Sequence, residues 1–149
     1  MTEIGTVRSS RDAAIDDAWN AVQSRIEIDP AQFTPGAVES LDGFSHIEVL
    51  FVFDRVPETE IERGSRHPRG RTDWPRVGIF AQRGKGRPNR IGLCTCQLLR
   101  VEGLTLHVKG LDAIDGTPVL DIKPYMKGFG PRGTVREPEW AAQIMAFYW

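Results

Sequence analysis

The chain has 149 residues, the length of one ordinary domain, and carries nineteen basic against twenty acidic residues for a formal charge of -1. That length leaves little room for two independent cores, and that balance excludes the globally basic character of non-selective nucleic-acid binders. No apolar run approaches the roughly 20 residues of a membrane span, and the start MTEIGTVRSS lacks the apolar centre of a signal peptide. A single domain over residues 1–149, cytoplasmic and free of membrane contact, is the expectation.

In chain order, residues 4–7 read as a short opening strand, and the polar run SSRDAAIDDAW after them keeps no apolar alternation. Ile15, Trp19, Val22 and Ile26 then have helical spacing, whereas Val22, Ser24, Ile26 and Ile28 alternate as in a strand. The strand, over residues 21–28, is preferred because Asp29-Pro30 stops it and β-branched residues fill its end. A helical turn over 36–41 precedes HIEVLFVF (46–53), which reads as a strand buried on both faces. Residues 58–75 hold glycine, proline and arginine, the mark of a partly extended, mobile, solvent-facing connection.

Four more strands follow in VGIFA, IGLCTCQLLRV, TLHVKGL and PVLDI, with Glu102-Gly103 as a hairpin turn. Six or seven strands with little helix predict an all-β fold, a small closed or nearly closed β-barrel. The terminal EPEWAAQIMAFYW predicts a short helix with Pro138 near its first turn. Its aromatic end, Phe147 to Trp149, must then pack on the barrel or meet a partner chain. Cys94 and Cys96 lie two apart in an alternating segment, on one face of a strand. Without a second ligand pair they predict packed thiols, and no metal. His107, alone in TLHVKG, reads as structural.

Two segments carry chemistry. In GIFAQRGKGRPNRIG (78–92) an apolar start gives way to arginine, glycine, lysine and proline, a shaped loop in which Gly84 and Gly86 supply unusual backbone angles and Pro88 stiffness. Arginines in such a loop offer forked donors to phosphate or carboxylate. Between residues 63 and 90 nine basic residues face the single acid Asp73. The second segment, GLDAIDGTPVLDIKPY (110–125), sets Asp112, Asp115 and Asp121 among apolar neighbours, where a carboxylate needs donors or a ligand. Lys123 and Tyr125 add a cation and a phenol.

With GFSHIEVLF (43–51), the runs FAQRGKGRPNRIGL and LDAIDGTPVLDIKPY resemble the TrmO family, or TsaA-like domain, in its order of motifs. The resemblance implies a small β-barrel that binds S-adenosylmethionine, pairs as a homodimer and methylates N6 of a threonylcarbamoyl-modified adenosine in the tRNA anticodon loop. It points to His46, Ile47, Arg83, Leu93, Leu111, Asp112, Ala113 and Ile114 as cofactor-binding. Leu93, Leu111 and Ile114 would form an adenine slot, Asp112 would accept from ribose, and Arg83 would clamp a carboxylate. Asn89 would orient the acceptor amine while Asp115 or Asp121 takes its proton. Arg66, Arg69, Arg71, Arg87, Lys123 and Tyr125 would contact substrate.

The sequence departs from the family pattern at Gln82, Gly84-Lys85 and Arg90, and no counterpart of the family's N-terminal proline-arginine-glutamine run stands between Arg8 and Ile28. No separate C-terminal domain, such as some members carry, is expected. Methylation of a small molecule, or a barrel that binds RNA or S-adenosylmethionine without catalysis, remain alternatives.

Overall fold

A computed structural model describes residues 1–149. Strands β1 (Gly5–Ser9), β2 (Gln23–Ile28), β3 (His46–Val52), β4 (Ser65–Arg66), β5 (Val77–Gly78), β6 (Ile91–Glu102), β7 (Thr105–Lys109) and β8 (Pro118–Pro124) precede one helix, α1 (Glu139–Ile144). Six of them close into an antiparallel barrel in the order β1-β2-β7-β6-β3-β8, with β8 returning to β1. Closure leaves no strand at an open edge of the sheet, although the first half of β6, Ile91 to Cys96, has a paired neighbour on one side only.

Alternation along each strand sorts the side chains. Val7, Ile26, Ile47, Val49, Leu106, Val108, Leu111 and Val119 are fully buried and form the core with Phe51, Cys94 and Cys96. Both thiols thus pack inside, as their spacing predicts. Strand β3 is buried on one face only: Ile47, Val49 and Phe51 point inward, while His46, Glu48 and Leu50 face out. Its apolar run suggested burial on both faces, but a barrel of this size has a single interior.

The largest departure concerns VGIFA. Only Val77 and Gly78 are extended, pairing with β4 in a separate two-stranded ribbon, and Ile79–Ala81 turn into a 3₁₀ helix that buries Ile79. Residues 77–92 are therefore not a barrel hairpin. The connection over 58–75, expected to be loose, is folded. It contains 3₁₀ turns at Glu58–Glu60 and Pro68–Gly70, buries Pro68 and Trp74, and is cross-tied where His67 Nδ1 meets the Trp74 carbonyl at 2.8 Å.

The chain ends with α1, entered through Pro138 and followed by a tail that zips onto the 11–20 segment. Ala18 N–H donates to the Phe147 carbonyl and Trp19 N–H to that of Tyr148, both at 2.9 Å. Arg69 grips Asp17 through two bonds of 2.7 and 3.1 Å, and Trp74 Nε1 donates to Gln143 Oε1 at 2.6 Å. Tail, 11–20 segment and basic connection form one cross-linked cover.

Candidate functional site

The site begins where β7 stops. Strand β6 runs twelve residues, but β7 accompanies it only from Gln97 to Glu102, so the β6 half from Ile91 to Cys96 has β3 on one side and an unpaired edge on the other. Gly110, at a φ of 78° that suits glycine, turns the chain off β7 and lays residues 111–114 beside that edge. The Cys94 thiol donates to the Gly110 carbonyl at 3.3 Å and fixes the approach.

Asp112 results from this turn. Leu111 and Ala113 insert into the core, leaving Asp112 between them at the rim. The Tyr148 hydroxyl donates to its Oδ2, whereas its Oδ1 is shut off from solvent and has no partner. Burial raises the Asp112 pKa above the ordinary carboxylate value, and the Tyr148 hydroxyl, the Cys94 thiol and the Arg83 guanidinium oppose that rise. The Tyr148 hydroxyl is in turn pushed up, by burial first and by the facing carboxylate second. A carboxylate that keeps one oxygen sealed without a donor is prepared for one.

Arg83 approaches the same edge from the other side, its Nη2 donating to the Leu93 carbonyl at 2.5 Å. Its remaining donors stay free for an anion. The Arg83 charge also acts on Asp112, so the loop that carries Arg83 and the turn that carries Asp112 approach the same edge of β6.

Loop 82–90 is shaped by contacts. Neither Gly84 nor Gly86 has a positive φ; the left-handed residue is Arg90, at 53°. The glycines serve close approach instead: a Cβ on Gly84 would stand 2.9 Å from Arg66 Nη2, and one on Gly86 would stand 2.6 Å from the Glu60 carbonyl oxygen and 3.2 Å from Arg66 Nη1. Gln82 donates to the Arg66 and Val77 carbonyls, and Arg87 to that of Gln82. The Arg66 guanidinium thus lies flat on the loop, without a carboxylate and with its Nε sealed and unpaired.

That contact sorts the basic residues. Arg69 pairs with Asp17, Arg71 with Asp73, and Arg63 and Arg90 with Glu58. Arg66, Arg76, Arg83, Lys85 and Arg87 have no carboxylate partner. Of the arginines expected to contact substrate, Arg66 and Arg87 carry uncompensated charge and Arg69 and Arg71 do not.

Register gathers other expected residues on the outer face of β6, β3 and β8. Leu93, Leu50 and Asp121 form one row, Thr95, Glu48 and Lys123 the next, and Gln97 and His46 the third. Leu93, 41% exposed, offers apolar surface there. Lys123 Nζ contacts Asp121 Oδ2 at 2.6 Å, and His46 Nδ1 contacts Ser45 Oγ at 2.8 Å. Tyr125 N–H donates to the His46 carbonyl, and Asn89 is exposed in the loop.

Ile47 and Leu111 point into the sealed core, so only their backbones can face a ligand and the side-chain slot reduces to Leu93 and the half-buried Ile114. The Asp115 carboxylate accepts the Ser9 N–H at 2.9 Å, its N–H bonds to Arg11 and its carbonyl accepts from Arg55. These bonds hold the DGTP turn on β1 and make Asp115 an anchor. One open concavity is lined by Arg8, Arg25, Arg100 and His107 and not by Asp112; there Arg8 and Arg25 pair with Glu27, and Arg100 and His107 with Glu102.

Sequence reasoning missed Tyr148. It sits thirty-six positions from Asp112, and its aromatic setting signalled only that something must cover it.

The tRNA-methyltransferase O N-terminal domain family matches residues 11–130, most of the barrel and both chemical segments. The chain belongs to that family. Among its curated relatives, the human tRNA (adenine(37)-N6)-methyltransferase is 35% identical over 134 residues, covering 90% of this chain but 29% of the human protein. A Methanothermobacter thermautotrophicus protein described as a probable S-adenosyl-L-methionine-binding protein is 38% identical over 137 residues, covering 87% of this chain and 92% of its own length. The chain therefore spans under a third of one relative and nearly all of the other. The crystal structure of TrmO from Pseudomonas aeruginosa superposes with a TM-score of 0.73 at 30% identity, over 91% of this chain and 59% of that one. The family resemblance read from the motifs holds, and so does the barrel.

Proposed function

We propose that the chain binds S-adenosylmethionine at the β6 edge and transfers its methyl group to N6 of a tRNA adenosine. The observation that carries the reading is the approach of Arg83 and Asp112, a free cation and an orphaned acceptor, to one edge that also presents Leu93. The donor set fits the group. Asp112 Oδ1, once uncovered, would accept from a ribose hydroxyl, the free Arg83 donors would hold the amino-acid carboxylate, and Leu93 with Ile114 would cover the adenine. His46, at the end of the same outer face, is the remaining polar contact.

When bound, the cofactor supplies a methyl group on positively charged sulfur, which leaves as a neutral thioether. This chain's residues then have to align the incoming nitrogen and exclude water. As the new carbon–nitrogen bond forms, the surplus amine proton passes to a carboxylate or to water. Asp121 is the better placed carboxylate, on the row of Leu93, and exposed Asn89 would orient the amine. The uncompensated Arg66, Arg87 and Lys85 would neutralise backbone phosphates around an unstacked base. Phe80 and Phe129, both more than 80% exposed, favour a second copy of the chain as partner. Work on tRNA implies the cytoplasm.

Incubation with methyl-labelled S-adenosylmethionine, total RNA and a metabolite extract tests the reading. Label should enter the tRNA fraction. Label in metabolites alone would replace the acceptor with a small molecule, and binding without transfer would leave a non-catalytic barrel.

A further inference from the structure

The C-terminal tail enters the site through a single polar contact, Tyr148 with Asp112, and is otherwise held from outside. Phe147 and Tyr148 give their carbonyls to Ala18 and Trp19, Trp19 is buried beneath the Arg11 guanidinium at 3.8 Å, and Gln143 of α1 takes the Trp74 indole N–H. Trp149 packs edge-on against the Tyr148 ring at 5.0 Å. The tail is thus fastened to the 11–20 segment before its tyrosine meets the barrel.

A carboxylate at a rim has two oxygens and a free torsion about its last carbon–carbon bond. Here Tyr148 occupies Oδ2 and leaves Oδ1 sealed and without a donor. One oxygen is committed, so the torsion is fixed, and a ligand hydroxyl reaches the sealed Oδ1 only when the cover over it parts. We infer that Tyr148 is a cofactor-positioning residue: its hydroxyl sets Asp112 so that Oδ1 receives one ribose hydroxyl, making the C-terminal tail a wall of the nucleoside site. The inference rests on the cofactor reading above and adds that the tail, outside the matched residues 11–130, completes the site.

Two consequences separate this role from mere packing. Removing the hydroxyl should weaken nucleoside binding and also erase the protein's sensitivity to the ribose hydroxyl that Asp112 reads. The probes are S-adenosylhomocysteine and its 2′-deoxy and 3′-deoxy forms, titrated by calorimetry into the native chain and into Tyr148→Phe. The native chain should lose about tenfold in affinity for one deoxy form, the size of one hydrogen bond to a charged group. Tyr148→Phe should bind the parent about tenfold more weakly and bind that deoxy form no worse than the parent, a coupling between protein and ligand changes that a destabilised fold does not produce.

Native discrimination retained in Tyr148→Phe would overturn the inference, as would tighter binding, which would make Tyr148 a plug. A native chain that binds none of the probes would overturn the cofactor reading and this inference with it. Hydrogen exchange on the native chain gives a readout that needs no variant. S-adenosylhomocysteine should slow exchange of the Ala18 and Trp19 amides that hold the tail, and unchanged exchange at both would also count against the tail as a wall.

Discussion

Asp112 shows what the proposed binding position costs in stability. Its acid form is favoured by burial, so the group lends the fold stability that is fully present below the ordinary carboxylate pKa. That contribution is lost as pH rises through the raised value of the folded state. Above that raised value the ionised Asp112 is therefore a cost to the protein without ligand. Asp112→Asn should melt higher than the native chain at pH 7, with the advantage shrinking as the solution is acidified, while losing nucleoside binding. Thermal melts of both chains across that range check the sign. At the other basic positions the same scale separates free charge from compensated charge. Arg66→Gln should lower the slope of log affinity for tRNA against log salt by about one. Arg71→Gln should lower it by clearly less, because Asp73 already occupies that guanidinium.

Elements tell a more mixed story, and the reasons are physical. Strands β2, β6 and β7 are legible in the sequence because one face of each is buried and the other is not, so their side chains alternate. VGIFA misleads because a continuous apolar run does not distinguish a strand from a 3₁₀ turn that buries one isoleucine under a loop. Gly84 and Gly86 mislead differently: glycine signals either an unusual φ or a close neighbour, and only coordinates tell which. Here the neighbours are the Glu60 carbonyl and the Arg66 guanidinium. Gly86→Ala should consequently destabilise the protein by about 1–3 kcal/mol through overpacking and loosen Arg66. Denaturant unfolding and the tRNA salt slope, measured on the same variant, would reveal both effects.

For the molecule as a whole, closure of the barrel decides what solvent reaches. Both thiols lie inside; burial lifts the Cys94 thiol far above its ordinary pKa and pushes Cys96 up to about 12, with Asp112 adding to the rise at each. Thiolate is the reactive form, so neither should react in the native state. A thiol reagent should modify Cys94 and Cys96 only through global opening, at rates that follow unfolding as denaturant is added. Fast labelling in native buffer would mean that the barrel breathes at the end of β6 beside the candidate site.

By itself the sequence determined the strands of the barrel, the inward cysteines and the family, because period-two burial and contiguous motifs are local and survive in one dimension. It also marked Arg83 and Asp112 as candidates. Tertiary structure alone decided which arginines are free, since their carboxylate partners are as remote as Asp17 from Arg69. It demoted Asp115 to an anchor through a backbone donor on β1. It also brought Tyr148 onto Asp112, a contact that exists only because two segments far apart in the chain are tied to a third. Pairings across such distances depend on where the closed barrel puts each loop, and no local pattern of residues encodes that.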